Sequence, residues 1–266
     1  MRKIVSTNIE DTTAERHFYT VKDHEDEYVW ENYYAKKVEP LMNCVITKIL
    51  SACSSALLQN HSTIITPAIK EKLAYIMIYQ LLRGKQSRDF TRQKYNESLP
   101  GVVEKAREIF GPLDTEHENV LEVYRNDENK YKLVAMEATI KSDKNKRIVS
   151  VLIQRSFIVY KIIGDKEFVA SDNPVIFVNA STLDATPFRH GLAQQSTVVL
   201  YPLSPKVLIA AYHPEFFMGG TVDYDGKYVL LDSNIKSGFI ENHNKMQYEQ
   251  CFDQVFARTK GSLEDI

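Results

Sequence analysis

The spacing of apolar residues separates this chain into a first half with helical periodicity and a second half with the composition of strands. Across residues 28–58 apolar side chains recur at every third or fourth position, which predicts a helix that Pro40 kinks or divides in two. The next apolar stretch begins after Thr66, a suitable N-cap, with Pro67 in the first helical turn. It is apolar on nearly every side, so it predicts a central helix that is buried on more than one face. Gly84, at its end, marks a bend or a close helix contact.

Two more helices are predicted before the periodicity changes. One covers 100–110 and begins at Pro100, and the other covers about 115–141. From about residue 148 the segments are rich in Val, Ile, Tyr and Phe and are separated by Gly, Pro, Asp and Asn, which is typical of strands. The first of these segments, 148–156, is also compatible with the extension of a helix.

The last periodic segment is helical again. It covers about 244–258, with Asn244 as its N-cap and Gln247 three residues later, close to a capping box. Helices followed by strands indicate an α+β fold, in which the helical N-terminal half packs on a mostly antiparallel β-sheet from the C-terminal half and a C-terminal helix closes the structure. No Pro- or Ser-rich linker separates the halves, so we expect a single domain over 1–266, with a helical part at about 24–141, a sheet at about 148–240 and the closing helix at about 244–258.

Composition narrows the class of protein. The chain has 266 residues, of which 44% are hydrophobic and 26% are charged, an ordinary balance for a globular protein that buries a sizeable core. The formal net charge of -2 argues against broad coating of nucleic acid, although it permits a local basic groove. The three cysteines form no CxxC pair, no apolar segment follows the N-terminal residues MRK, and no apolar run reaches about 18 residues. We therefore expect a cytoplasmic protein with reduced thiols and no membrane span.

Motif screening leaves few candidates for chemistry. The sequence contains no phosphate-binding loop, dinucleotide fingerprint, zinc-protease motif or nucleophile elbow. Its seven histidines are scattered without metal-ligand spacing, so no metal site is predicted, and the sequence names no cofactor. A basic cluster follows the central helix and begins at Arg83, whose stem we expect to be buried. Two interpretations of its guanidinium remain open. It binds an anionic group, or it is solvated at the end of the helix, where a positive charge complements the C-terminal dipole.

The segment Ser171-Asp172-Asn173-Pro174 interrupts two strand-like runs with polar residues. Pro174 forces Asn173 out of the α region, and both Asp172 and Asn173 can accept hydrogen bonds from nearby amides in Asx turns. This gives a complete structural interpretation of the segment as a turn. The functional interpretation is that three short polar side chains at the end of a strand form a site, which is a frequent position for one. A single carboxylate without a second acid nearby is a weak catalytic signal, and the sequence leaves both interpretations open.

The string FVASDNPVIF, followed by VVLYPLSPKVLI, resembles a family of bacterial, archaeal and phage proteins named domain of unknown function 4238. The resemblance covers about 16–258 and extends to an Arg after an apolar run, here LLRG, and to a closing helix opened by an Asn, here NHNKMQYEQCFDQVFA. Members usually begin with a His-Tyr-x-Pro stretch, which this chain does not contain. If that His helps to form a site, this protein has lost the function, is a shortened variant, or obtains the group elsewhere. The family name implies no reaction, and its distribution implies, by association alone, a role in conflict between bacteria and mobile elements.

Two function hypotheses follow from the residues and the resemblance together. In the first, the protein is an intracellular hydrolase that acts on nucleic acid or a nucleotide in phage–host conflict. Asp172 is then the general base or a metal-facing carboxylate and Asn173 the second candidate catalytic residue, which orients the substrate. Ser171 and Asn244 bind the substrate, and Arg83 meets a phosphate. This hypothesis requires the side chains of Asp172, Asn173, Arg83 and Asn244 to converge in one cleft.

In the second hypothesis the protein is a non-catalytic binding module, such as an immunity, anti-defence or regulatory protein. The same residues then hold only the corner of the sheet and the start of the last helix. The partner is unknown under both hypotheses, and a phosphate-bearing ligand or another protein are the two classes that we expect. A role at a membrane is not expected from this sequence.

Overall fold

A computed structural model describes residues 4–6, 20–22, 25–55, 58–112, 114–117, 132, 143–186, 189–217, 223–264 and 266. Its helices in chain order are α1 (Val29–Tyr33), α2 (Glu39–Cys53), α3 (Pro67–Arg83), α4 (Lys85–Phe110), α5 (Asp143–Ile153), α6 (Ser237–Gln250) and α7 (Gly261–Glu264), with a π-helical turn at Tyr34–Val38 and a 3₁₀ turn at Pro214–Phe217. Its strands are β1 (Ser156–Ile163), β2 (Ala170–Ser171), β3 (Ile176–Asn179), β4 (Thr197–Ser204), β5 (Val207–Tyr212), β6 (Lys227–Asp232) and β7 (Val255–Phe256). The order of helices first and strands second is the predicted α+β order.

Five of the strands form one sheet in the spatial order β3-β4-β5-β1-β6. Its neighbours are antiparallel except for β1 and β6, which run parallel. β2 and β7 pair separately in a two-stranded antiparallel ribbon. The prediction of a mostly antiparallel sheet from the C-terminal half is therefore confirmed.

The five-stranded sheet is covered on both faces, because successive side chains of a strand point to opposite sides. On one face α2, α3 and α5 pack against the sheet, and Met77, Leu152 and Ile209 belong to the same buried cluster. On the other face α6 packs Ile240 against a second cluster that includes Leu200. All residues of β5 are buried as a result. The helical half packs on the sheet as predicted, and α6 lies on the face opposite to it.

Helix α3 has the ends that the sequence predicts. Thr66 Oγ1 accepts a hydrogen bond from Ile69 N at 3.4 Å, Pro67 is the first residue of the helix, and Gly84 separates α3 from α4. Pro40 lies in the first turn of α2, directly after the π-helical turn that joins α1 to α2. The predicted long helix is therefore divided by a wider turn and is not broken. Because Pro40 lies in the first turn of α2, the N–H that proline lacks costs no hydrogen bond of a continuous α-helix.

Two helix starts differ from the prediction. No helix begins at Pro100, because α4 is continuous across it for 26 residues and Leu99 is buried beside it. A proline removes one backbone hydrogen bond, and a helix of this length keeps the others. Asn244 is not an N-cap, because α6 begins at Ser237 and places Asn244 in its interior. Its amide is satisfied there by the backbone of a neighbouring segment, described below.

Other boundaries follow from the same structure. The segment 148–156 ends a helix and starts a strand, since α5 extends to Ile153 and β1 begins at Ser156. The closing helix ends at Gln250, and part of its predicted C-terminal half forms β7 instead. The helix predicted at about 115–141 lies outside the described residues, apart from 115–117 and 132. No helix in the described part of the chain combines the length and the apolar run that a membrane crossing requires.

Candidate functional site

Three of the segments that carry the family resemblance, residues 168–177, the turn between β4 and β5, and α6, meet with the start of α4 at one corner of the molecule. The first turn of α4 brings Gln86 to Asn173, whose Nδ2 donates to Gln86 Oε1 at 2.6 Å. The segment before β2 lies on the turn between β4 and β5, since Phe168 N donates to Pro205 O at 2.8 Å. Helix α6 lies along the same segment and contacts it through Asn244. Residues 171–174 are therefore enclosed by elements that are far apart in the sequence.

Asp172 binds a part of the chain that lies 80 to 82 positions away. Its Oδ1 accepts a hydrogen bond from Phe252 N at 2.8 Å, and its Oδ2 accepts from Asp253 N at 2.6 Å and from Gln254 N at 3.2 Å. Its own N donates to Gln254 O at 3.1 Å. Successive backbone N–H groups are a good arrangement for binding an anion. The carboxylate fixes the chain just after α6 and does not make the Asx turn with neighbouring amides that the sequence suggested.

Ser171 makes the local turn instead. Its Oγ accepts a hydrogen bond from Asn173 N at 3.2 Å and donates to Gln247 Oε1 at 2.8 Å. Asn173 Nδ2 contacts Gln250 O at 3.4 Å in addition to Gln86. Ser171 and Asn173 are both buried, with 4% exposure each. Their side chains are thus paired within the protein interior.

Asn244 is the first of three amide side chains that α6 directs at this segment. Its Oδ1 accepts a hydrogen bond from Val169 N at 3.0 Å, and its Nδ2 donates to Glu167 O at 2.9 Å. His243 Nδ1 lies 3.1 Å from Asn244 Oδ1. Burial lowers the pKa of His243 to about 4, so the ring is neutral at pH 7 and its Nδ1 carries the proton that faces Asn244.

Gln247 and Gln250 continue this row at intervals of three residues, which keeps them on one face of the helix. Gln247 Nε2 donates to Pro174 O at 2.9 Å. Gln250 Nε2 donates to Phe177 O at 3.2 Å and also to Ala185 O. Both glutamines are buried, at 0% and 3% exposure. The glutamines of α6 thereby supply hydrogen bonds to the backbone carbonyls of Pro174, Phe177 and Ala185, as a further strand would do in a sheet.

Charged groups at the corner pair with each other. Lys85 Nζ is 3.6 Å from Asp253 Oδ2 and 4.5 Å from the centroid of the Phe252 ring. Burial, together with the negative charges of Asp172 and Asp253, raises the pKa of Cys251. The Cys251 thiol is therefore protonated at neutral pH and is not prepared to act as a nucleophile.

Arg83 lies close in sequence to this corner but makes its described contacts on the helical side. Its guanidinium carbon is 5.9 Å from the centroid of the Tyr34 ring, a cation–π distance. Burial raises the pKa of Tyr201 to about 12, and the charge of Arg83 opposes this rise. The structure brings the four polar residues of the candidate site together around α6, whereas Arg83 contacts Tyr34 and influences Tyr201.

The arrangement is an assembled hydrogen-bond network rather than an open group of reactive side chains. Both oxygens of Asp172 accept hydrogen bonds from amides, and the side chains of Ser171, Asn173 and Asn244 are each bonded to other parts of the chain. Among the residues that the structure describes, no three or more His, Cys, Asp or Glu side chains are grouped so that they could hold a metal ion.

Three glutamines complete the network without being predicted in it: Gln86, Gln247, which the sequence assigns to a near capping box with Asn244, and Gln250. A signal for the last two was present, because amide side chains at 244, 247 and 250 recur with helical spacing. The apolar residues Ile240 and Met246 of the same helix show that this part of it is buried. Gln86 gave no signal, since nothing local distinguishes it from a solvated residue in the first turn of a helix.

The chain was also compared with known proteins. A search of curated proteins found no match, and a search of solved structures found none. A family model described as a protein of unknown function (DUF4238) matches residues 1–261. The match spans nearly the whole chain and includes each of the segments that meet at the corner. The chain therefore belongs to the DUF4238 family.

Proposed function

We propose that this protein is a non-catalytic binding module, of the kind that serves in immunity, anti-defence or regulation, and that residues 171–174 support its fold. The observation that carries the proposal is the pairing of Asp172, whose two carboxylate oxygens accept hydrogen bonds from the N–H groups of residues 252–254. A general base has to reach a proton of the substrate with one of its oxygens. Both oxygens of Asp172 are directed at the protein's own backbone instead.

The other candidate residues support the same proposal. Asn173 and Ser171 are nearly inaccessible, and their polar groups are bonded to α4, α6 and each other. Both polar atoms of the Asn244 side chain are hydrogen-bonded to backbone, Oδ1 to Val169 N and Nδ2 to Glu167 O. A substrate would have to displace these bonds, and each buried polar group that it left unpaired would be unfavourable.

The hydrolase hypothesis assigns Asp172 and Asn173 to catalysis and Ser171, Asn244 and Arg83 to the substrate. In that role Asp172 would have to bind the substrate in competition with the three hydrogen bonds that it accepts from residues 252–254. The setting of phage–host conflict comes from the family resemblance and is common to both hypotheses, so it does not distinguish them.

The test compares the wild type with Asp172→Asn and with Asp253→Asn as a matched control. Asp253 is the neighbouring acid, and its side chain is 60% exposed. Each purified protein is incubated with nucleotides, RNA and DNA below its unfolding temperature, and products are followed by mass spectrometry. A parallel thermal-shift screen identifies compounds that raise the unfolding midpoint and are recovered unchanged.

We expect no turnover by the wild type, at least one compound that binds without conversion, and a loss of stability in Asp172→Asn alone. Turnover by the wild type that falls by roughly a hundredfold or more in folded Asp172→Asn would establish the carboxylate as a catalytic group and refute the proposal.

A further inference from the structure

Residues 255–264, which we call the strap, lie across the segment 167–171 and pair with it through the short ladder of β2 and β7. No residue of the strap is buried, and its apolar side chains Val255, Phe256 and Leu263 are only half-buried. Segments with few buried apolar side chains open at a lower free energy than the core does. We therefore expect the strap to open while the five-stranded sheet stays folded.

Asp172 fixes the point from which the strap opens. Its carboxylate accepts hydrogen bonds from the N–H groups of residues 252–254, directly before the strap. The strap can therefore leave the segment 167–171 without breaking these bonds. Because the anchor at Asp172 holds the residues before the strap in place, the strap also returns in the same register.

Beneath the strap lies a buried carboxylate. The side chain of Glu167 is 1% exposed, whereas that of its partner Arg258 is 65% exposed, and Arg258 Nη2 contacts Glu167 Oε1. Glu167 Oε2 accepts hydrogen bonds from Thr259 Oγ1 at 3.3 Å and from Ser262 Oγ at 3.4 Å. These three partners all lie on the strap. A carboxylate at such a depth is unfavourable without a cation and donors, so whatever replaces the strap has to bring both.

We propose that the segment 167–171 is the floor of a peptide-binding groove, which the strap fills until an extended segment of a partner protein displaces it. In the described structure β2 pairs only with β7, so an open strap leaves one edge of β2 free for an added strand. The partner segment carries an arginine for Glu167, followed by a residue with a hydroxyl group. Its backbone brings the same N–H and C=O groups as the strap, so the exchange leaves no backbone group of β2 unpaired.

The anchor at Asp172 favours a separate partner over a second copy of this chain. A strap that stays attached at residues 252–254 remains beside its own groove, and exchange between two copies would have to break these hydrogen bonds as well. This inference rests on the proposed function, since it names the partner class of the binding module.

The probe is a fluorescein-labelled peptide with the sequence of residues 254–262, QVFARTKGS, and the control peptide has Gln in place of its Arg. Binding to the full chain is measured by fluorescence anisotropy. Arg258→Ala loosens the strap and leaves the groove intact. Lys260→Ala is the matched control, because Lys260 is an exposed cation of the strap that pairs with Glu264, at 2.7 Å, and not with the groove. Glu167→Gln, added to Arg258→Ala, removes the charge of the groove and keeps its shape.

We expect the probe to bind Arg258→Ala roughly tenfold or more tighter than the wild type, because the strap then competes less for the groove. Lys260→Ala should bind it as the wild type does. The control peptide should bind Arg258→Ala roughly tenfold more weakly than the probe, and the added Glu167→Gln should remove this difference. In hydrogen exchange, residues 255–264 should exchange faster than β5 in the wild type and faster still in Arg258→Ala, whose β5 stays as protected as before.

Three results would overturn the inference: no binding of the probe by Arg258→Ala with a protected β5, equal binding of the two peptides by that variant, or exchange of residues 255–264 only as slowly as β5. A dimer of Arg258→Ala in sedimentation without peptide would overturn the assignment to a partner protein, because a second copy then fills the groove. Hydrolysis of a nucleotide by the wild type refutes the proposed function whatever the peptides do. Absence of hydrolysis without peptide binding refutes the groove alone.

Discussion

Replacing Asp172 by Asn tests what the negative charge contributes to the network, since the two side chains have nearly the same shape. In the wild type, Oδ1 accepts one amide hydrogen bond, at 2.8 Å, and Oδ2 accepts two, at 2.6 Å and 3.2 Å. The asparagine oxygen can occupy the Oδ2 position and keep two of these bonds. Its NH2 group then faces the N–H of Phe252, so one bond is lost and two donors oppose each other.

The expected change in the free energy of unfolding follows from the number of hydrogen bonds that Asp172→Asn loses or neutralises. A hydrogen bond to a charged group contributes about 1.5–3 kcal/mol and a neutral one about 0.5–1.5 kcal/mol. Asp172 is half-buried, which places each contribution near the lower end. With about 1.5 kcal/mol for each charged bond and about 0.5 kcal/mol for each neutral one, losing one bond and neutralising two should lower the free energy of unfolding by about 3.5 kcal/mol. For a chain of this length that corresponds to a fall of roughly 7 °C in Tm. Asp172→Ala removes all three bonds and should lower the free energy by about 4.5 kcal/mol.

Urea denaturation followed by circular dichroism measures both effects, with Asp253→Asn as the control. Its carboxylate is 60% exposed and lies 3.6 Å from Lys85, so its loss should change stability by less than about 0.5 kcal/mol. If Asp172→Asn and Asp172→Ala are no less stable than the control, the carboxylate does not hold residues 252–254, and the main support for a structural role is gone.

Three further predictions concern residues away from Asp172. The buried guanidinium of Arg155 donates to three backbone carbonyl oxygens; Arg155→Met should therefore lower the free energy of unfolding in urea by about 3 kcal/mol or more, and Arg155→Lys should recover part of that loss. Burial lowers the pKa of His243 from 6.5 to about 4. Between pH 6.5 and about pH 4 the imidazole of His243 is therefore protonated in the unfolded chain and neutral in the folded one. The free energy of unfolding should fall by about 2 kcal/mol as the pH is lowered from 6.5 to 5, and His243→Asn should flatten this part of its pH dependence. Gly226 has a φ of +73°, and a Cβ there would lie 2.4 Å from Ile65 O. Gly226→Ala should therefore destabilise by about 2 kcal/mol or more in calorimetry, whereas Gly238→Ala, which meets nothing within 4 Å, should be neutral or stabilising. Wild-type stability in Arg155→Met, an unchanged pH profile in His243→Asn, or equal Tm values for the two glycine variants would contradict the corresponding prediction.

The parts of the fold that the sequence predicts are those whose information is local. Helix α3 carries its own cap at Thr66 and its own end at Gly84, and both are present in the structure. The strands β4 and β5 are apolar runs separated by a Pro-containing turn, and they pair as neighbours. Where tertiary contacts override a local signal, the prediction fails. Pro100 suggests a helix start in sequence, yet it lies inside α4.

The candidate site shows the same division between local and distant information. The sequence correctly indicates that Ser171, Asp172 and Asn173 carry polar side chains at the end of a strand. It gives no indication that the partners of Asp172 are backbone amides more than 80 positions later, because any amide satisfies a carboxylate equally well. The helical pattern predicts Asn244 as a cap, whereas its partners in the structure are the backbone of Val169 and Glu167, on a segment that no helical pattern identifies.

On the proposed function, the polar residues of this corner specify strand register. The ribbon of β2 and β7 pairs only Ala170 with Phe256 and Ser171 with Val255. Hydrophobic burial has no direction, so it fixes the register of such a short ladder poorly. A slip by one residue would turn every side chain of the strand to the other face. Hydrogen bonds are directional, so the carboxylate of Asp172 and the amides of α6 can hold this short pairing in one register. A sequence of Ser, Asp, Asn and Pro at a strand end therefore resembles an active site for a physical reason, because binding one's own backbone requires the same groups as binding a substrate.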